Sequence, residues 1–173
     1  MTRVAVQIFV IDTSSIIQVR RLANATTVQV TSIYSRLEDL ARDHGLLFPR
    51  QVLEELGRFA ILPKKVADLP LEWARRVAED AMRIQPSLDL VREVLDRVPS
   101  VLDFAKTDPV DEADPYVLAL ALQLGREGKR VRVVTEERID NPTKMSMATA
   151  AGILELPCVP VHGLLALLGA SAG

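Results

Sequence analysis

Short apolar runs alternate with longer amphipathic stretches along this chain. Residues 4–11 are apolar and β-branched nearly throughout, the pattern of a strand buried on both faces, and Asp12 ends them. Helical spacing follows over 13–22, with Asp12 or Thr13 as the cap, and over 28–44, closing at Asp43-His44-Gly45. Leu46-Leu47-Phe48 reads as a short strand, and Pro49 opens a helix running to about Gly57. Residues 59–70, punctuated by Pro63 and Pro70, read as a connector. Helices are expected at 71–84 and 87–97, then a loop over 99–110 with Pro99 and Pro109, then a long helix over 111–127 stopped by Gly128. A strand at 131–134, a loop at 136–144, a helix at 145–153, a strand at 158–161 and a helix at 162–169 complete the pattern. There is no internal repeat and no low-complexity tract. Strands alternating with helices predict one α/β domain with a mostly parallel central sheet, whose ligands bind at the carboxyl ends of the strands.

Composition narrows the class. The 173 residues suffice for a single domain with a substantial core, and 49% hydrophobic against 25% charged is ordinary for a soluble globular protein. No segment reaches the ~18–20 apolar residues of a membrane span, and the first apolar run lacks the basic start and small-residue cleavage site of a signal peptide. Cys158 is the only cysteine, so no internal disulfide is expected and the cytoplasm is the expected location. A net charge of −2 argues against a strongly basic nucleic-acid coat but is compatible with an acidic pocket surrounded by basic residues. The basic clusters are Arg20-Arg21, Lys64-Lys65, Arg75-Arg76 and the run from Arg126 to Arg132, each readable as a solvated face. With aromatics at only 4%, base stacking on an aromatic platform is not the expected mode of nucleic-acid binding.

The chemistry concentrates in carboxylates. Asp12 stands where a strand ends, although Asp-Thr-Ser-Ser before an apolar helix is also an N-cap signature. Glu54 and Glu55 separate by helical phase. Glu54 has Arg50 four residues before it and Arg58 four after, an ion-pair ladder on a wet face, whereas Glu55 shares the apolar side with Val52 and Phe59. A carboxylate facing inward is costly unless paired or metal-bound, which makes Glu55 the functional candidate. Asp114 shares a helix face with Val117, Leu118 and Ala121, and its competing role is a helix cap before Pro115. Glu136, Glu137 and Asp140 follow the strand at 131–134, with Thr135 and, after the first strand, Ser14 as hydroxyls able to cap a helix or bond a metal-bound water. Asp111 and Glu112 suit a solvated first helical turn. Carboxylates brought together repel by about 4 kcal/mol per close pair at an effective dielectric of 20, so a shared pocket calls for a cation or for protonation. All-oxygen ligands favour Mg²⁺ or Mn²⁺. His44 and His162 lack metal-ligand spacing, Cys158 reads as a small apolar residue, and Trp73 as core.

The segments Phe9-Val10-Ile11-Asp12-Thr13-Ser14, Val52-Leu53-Glu54-Glu55-Leu56, Asp114-Pro115-Tyr116-Val117-Leu118-Ala119-Leu120-Ala121 and Val133-Val134-Thr135-Glu136-Glu137 together resemble the PIN domain, the family of the VapC-type toxin ribonucleases. The tail from Lys144-Met145 to Val161 is closest to a less-studied PIN-like subgroup. The resemblance spans nearly the whole chain and rests on the ordered set of four segments. It implies a three-layer α/β/α sandwich, with a helical insertion at about 59–105, and metal-dependent hydrolysis of RNA phosphodiester bonds. Asp12, Glu55 and Asp114 match the family's three most regular acidic positions; the fourth falls on Glu137, where Asp or Asn is usual, and Asp140 matches a further acidic position of many toxins. On this reading Asp12 and Asp114 are the main ligands of Mg²⁺ or Mn²⁺, Glu55 and Glu137 hold the ion directly or through waters, and Ser14, Thr135 and Asp140 support them. The resemblance also implies an RNA substrate, an antitoxin partner and a homodimer. Two other acidic-pocket folds fit less well: a haloacid-dehalogenase-type phosphatase needs Asp where Ser14 stands, and a receiver domain needs paired acids after the first strand. The remaining alternative is a PIN-like module that binds RNA or protein without cutting.

Overall fold

The computed structural model describes residues 6–22, 26–60, 68–107 and 112–170. Four strands, β1 (Gln7–Ile11), β2 (Leu46–Leu47), β3 (Arg130–Val134) and β4 (Cys158–Val159), form one sheet in the order β2-β1-β3-β4. Every pairing is parallel: Phe9 faces Leu46, Val10 faces Val133, and Val134 faces Val159. The helices are α1 (Thr13–Val19), α2 (Thr27–Arg42), α3 (Arg50–Phe59), α4 (Leu69–Ala81), α5 (Leu88–Arg97), α6 (Asp114–Arg126), α7 (Met147–Ile153) and α8 (Val161–Ala170). They cover the sheet as a three-layer α/β/α sandwich. Phe9, Val10 and Ile11 are buried whichever face they point to, as expected of a parallel strand between two helical layers.

Differences from the expected elements are small and have local causes. The loop expected over 99–110 contains a 3₁₀ turn, Pro99–Val101, opened by the proline's fixed φ. α6 begins at Asp114 rather than 111, with Pro115 in its first turn. Val4 and Ala5 of the expected first strand, the connector at 61–67 with Pro63 and Lys64-Lys65, and Pro109 and Asp111 lie outside the described residues. Helices α4 and α5, within the segment 59–105, contribute to the common core: Trp73, Ala74, Val77, Val91 and Val94 are all buried in it.

α6 decides the environment of the site. Val117 to Leu122 and Leu124 are all buried, so this helix is wrapped on every side and packs against β1 and β3. Its first residue, Asp114, is thereby held in a dry setting.

Three helices end alike. After α2, His44 takes a left-handed φ of 62° and its N–H bonds Ala41 O, while Gly45 N–H bonds Leu40 O. Gly128 (φ 78°) does the same after α6, and Glu155 (φ 59°) after α7. These are Schellman endings, in which the left-handed position suits glycine because a Cβ strains it. The sequence points to Gly45 as the stop of α2, yet the left-handed residue is His44; a Cβ at Gly45 would lie 2.6 Å from Leu40 Cδ1, so any larger residue there makes the Leu40 side chain shift. His44→Gly and Glu155→Gly are each expected to raise stability by up to about 1 kcal/mol, and Gly128→Ala to lower it by about 1 kcal/mol, read from urea unfolding midpoints.

Candidate functional site

β1 and β3 are neighbours, yet the chain leaves β1 for β2 on one side and returns to β3 on the other. That reversal opens a crevice at the carboxyl ends of the two strands. Asp12 follows β1 and Thr135 follows β3, and the two loops are laced together there by hydroxyls. Thr135 Oγ1 donates to Asp12 Oδ2 at 2.6 Å and accepts from Glu137 N at 3.1 Å. Ser14 Oγ lies 2.8 and 2.9 Å from the two Asp12 oxygens and accepts from Glu136 N at 3.1 Å. Asp12 Oδ1 also accepts from Ser15 N at 2.8 Å, so it caps α1 and faces the crevice together. Ser14 and Thr135 therefore brace Asp12. Burial pushes the Asp12 carboxyl up to about 6, against the pull of the hydrogen bonds from Thr135, Ser15 and Ser14; the charge of Glu137 adds to the rise.

Asp114 is the first residue of α6, behind Ala113, which has no side chain able to cap the helix. Its carboxylate is buried, and burial drives its pKa upward; Lys144 opposes the shift, and the charges of Glu137 and Asp12 reinforce it. Asp12, Asp114 and Glu137 thus share one electrostatic neighbourhood. Lys144 Nζ lies 2.5 Å from Asp114 Oδ2 and 2.8 and 3.0 Å from the Glu137 oxygens. Asp114 Oδ2 is shielded from solvent, and the Lys144 ammonium is its charge partner.

Glu55 lies on the buried side of α3, and Thr13 Oγ1 donates to its Oε2. Glu54 points to solvent 3.8 Å from Arg50, as the helical phase predicts. Glu55, Asp114, Glu137 and Lys144 line one cleft of about 650 Å³, as does Ser14, whose hydroxyl bonds buried Asp12. Arg20, Arg21 and Lys106 border the same cleft, as does the exposed ring of Phe59.

Other acidic candidates are occupied elsewhere. Asp140 is exposed, does not line the cleft, and accepts from Ser146 N at 2.9 Å where α7 begins; that hydrogen bond holds its carboxyl below the usual range. Glu136 Oε1 accepts from Val161 N at 2.7 Å at the start of α8. Glu112 accepts from Asp103 N and contacts Lys106 Nζ at 3.3 Å. His44 and His162 are exposed and away from the cleft, and Cys158 is half-buried in β4. Of the basic clusters, Arg76 pairs with Glu38 at 3.0 Å and Arg126 grips Glu93 through both terminal nitrogens.

Lys144 is the member that the residue pattern does not reveal. It belongs to a loop with no periodicity, and the only hint was that so many acids needed a counter-charge. Among the described residues no three Asp, Glu, His or Cys side chains are grouped closely enough to hold a metal ion, and Lys144 stands between two of the carboxylates. The donor chemistry nonetheless fits a hard cation. It is all oxygen, two of its carboxylates are buried with raised pKa, and a single ammonium serves both Asp114 and Glu137.

Among the described residues no helix is long and apolar enough to cross a membrane. No curated protein and no solved structure matches the chain. A family model does match, over residues 9–171, nearly the whole length: the chain belongs to the family described as a domain of unknown function, DUF4411.

Proposed function

We propose that this chain is a Mg²⁺- or Mn²⁺-dependent endoribonuclease of the PIN-like type, hydrolysing RNA phosphodiester bonds. The observation that carries the reading is the convergence of Asp12, Asp114 and Glu137 at the β1–β3 crevice, with Glu55 in the same cleft and one ammonium among them. Asp12 and Asp114 would hold the ion, with Glu137 and Glu55 completing its surroundings. A divalent ion bound there supplies Lewis acidity toward a phosphoryl oxygen and lowers the pKa of water.

The chain's own residues do the rest. Ser14, Ser15 and Thr135 fix the Asp12 carboxylate through hydrogen bonds, so its position is set before any ligand arrives. Arg20 and Arg21 at the mouth suit a phosphodiester backbone, holding it without reading its sequence, while Lys106 beside them is paired with Glu112. Phe59, 54% exposed on the same rim, offers a face to one unstacked base, which favours single-stranded RNA.

A toxin role, with an antitoxin as protein partner, a homodimer and a cytoplasmic location extend the same proposal. Growth arrest on expression, relieved by a neighbouring gene product, tests the toxin role; harmless expression of active protein counts against it. Lys144 favours a second reading, since an ammonium already between two carboxylates suits a non-catalytic module that binds RNA without an ion. Incubating labelled single-stranded RNA with purified protein separates the two. Cleavage is expected with Mg²⁺ or Mn²⁺, none in EDTA, and none with folded Asp114→Ala. RNA that stays intact with either ion, at protein concentrations that bind it, leaves the binding module.

A further inference from the structure

We propose that Lys144 is a built-in cation of this pocket: its ammonium occupies the place between Asp114 and Glu137, so the pocket takes one divalent ion, on the Asp12 side, rather than two. The inference rests on the metal-ion reading above.

Its first support is position. Nζ lies 2.5–3.0 Å from three carboxylate oxygens, and the Lys144 side chain is only 12% exposed. An ion between Asp114 and Glu137 would need those same oxygens at ~2.0–2.1 Å for Mg²⁺, which the ammonium prevents while it stays.

Its second support is the way the lysine is delivered. The loop 135–146 is tied down on both sides of it. Asn141 N donates to Lys144 O at 3.0 Å, and Met145 N donates to Ser100 O at 2.6 Å. Thr143 Oγ1 donates to Asp103 Oδ1 at 2.8 Å, and Phe104 N donates to Thr143 O at 3.2 Å. A long flexible side chain carries a large entropy cost when ordered, and anchoring its backbone to the 99–104 segment offsets part of that cost.

Its third support is the asymmetry of the charges. Asp12's hydrogen bonds all come from neutral donors, the hydroxyls of Ser14 and Thr135 and the Ser15 amide. Asp114 sits between the two environments, facing Lys144 while sensing the charge of Asp12. Among the described residues, then, Lys144 pairs with Asp114 and Glu137 and leaves the Asp12 carboxylate to neutral donors alone.

The test counts ions. Mn²⁺ binding to the full chain is measured by calorimetry, and free Mn²⁺ by its paramagnetic resonance signal, at pH 7.5. The expected result is one Mn²⁺ per chain for the wild type and for Lys144→Arg, two for Lys144→Met, and none in the pocket for Asp12→Asn. Metal-free Lys144→Met is expected to melt below wild type and to gain more from saturating Mn²⁺. Two ions in the wild type, or one in Lys144→Met at unchanged affinity, overturns the role of Lys144 while leaving the metal reading standing. No ion in either protein overturns both. Binding by Lys144→Met alone overturns the one-ion count, because the lysine would then exclude metal altogether. If Lys144→Met does not fold, the wild-type and Lys144→Arg counts still decide.

Discussion

Asp12→Asn is expected to abolish RNA cleavage and, in the metal-free protein at pH 8, to be more stable than wild type. The two effects share one cause. Asp12 is 1% exposed and its carboxyl is pushed up to about 6, mainly by burial. Its ordinary value is 3.8, so between these values the folded chain holds a proton that the unfolded chain has lost. Stability from this group is greatest below about pH 4, falls as the pH rises toward 6, and stays low above. A displacement of about two pH units corresponds to roughly 3 kcal/mol. Asparagine does not ionise and so escapes this fall, while its Oδ1 can still accept from Ser15 N. Asp114, also driven upward by burial, adds a fall of the same sign that remains in the variant. Losing a residue that only hydrogen-bonds a metal ligand typically costs ~10–100-fold in affinity or activity, so losing a ligand itself should exceed ~100-fold. Thermal melts in EDTA at pH 5 and pH 8, beside cleavage assays in Mn²⁺, check both halves. A variant no more stable than wild type at pH 8 would mean that the buried charge is compensated in some other way.

Trp73→Ala is expected to cost about 3–5 kcal/mol, the largest loss of stability from a single core residue here. Trp73 is fully buried, its ring centroid 5.7 Å from that of Tyr34 and 6.1 Å from that of Phe48. Its Nε1 donates to Tyr34 O at 3.0 Å. The indole thus joins α4 to α2 and to the end of β2, where Phe48 N also donates to Ala81 O at 3.0 Å. Alanine leaves a void among three elements, and phenylalanine, which keeps most of the volume but not the donor, should cost less. Urea unfolding measures both. A Trp73→Ala loss under about 1 kcal/mol would mean that α4 is a detachable appendage rather than part of the core. The Mn²⁺ count of the folded variant should stay as in wild type, since Trp73 does not line the cleft.

Much of this protein is set by local pattern. Period and punctuation place each strand and helix to within a few residues, because burial at fixed spacing and backbone-restricted residues act over one or two turns. Helical phase alone separates buried Glu55 from exposed Glu54. The same reasoning turns Asp114 toward the core and leaves Asp12 two roles, of which it fills the helix cap.

What local pattern cannot supply is adjacency between distant segments. Three loop acids, Glu136, Glu137 and Asp140, look alike along the chain, yet only Glu137 meets Lys144, while Glu136 and Asp140 accept from backbone amides where α8 and α7 begin. Of several basic clusters, Arg20-Arg21 reaches the cleft, whereas Arg76 and Arg126 are spent on Glu38 and Glu93. Lys144 has no periodic neighbour to announce it; its place follows from a loop pinned to the 99–104 segment. The strand order β2-β1-β3-β4 is likewise decided by pairing across more than a hundred residues, and it alone puts Asp12 beside Thr135. Hydrophobic spacing fixes which side chains leave water, but the sign and distance of the charges they meet depend on which loops the folded sheet brings to the same edge.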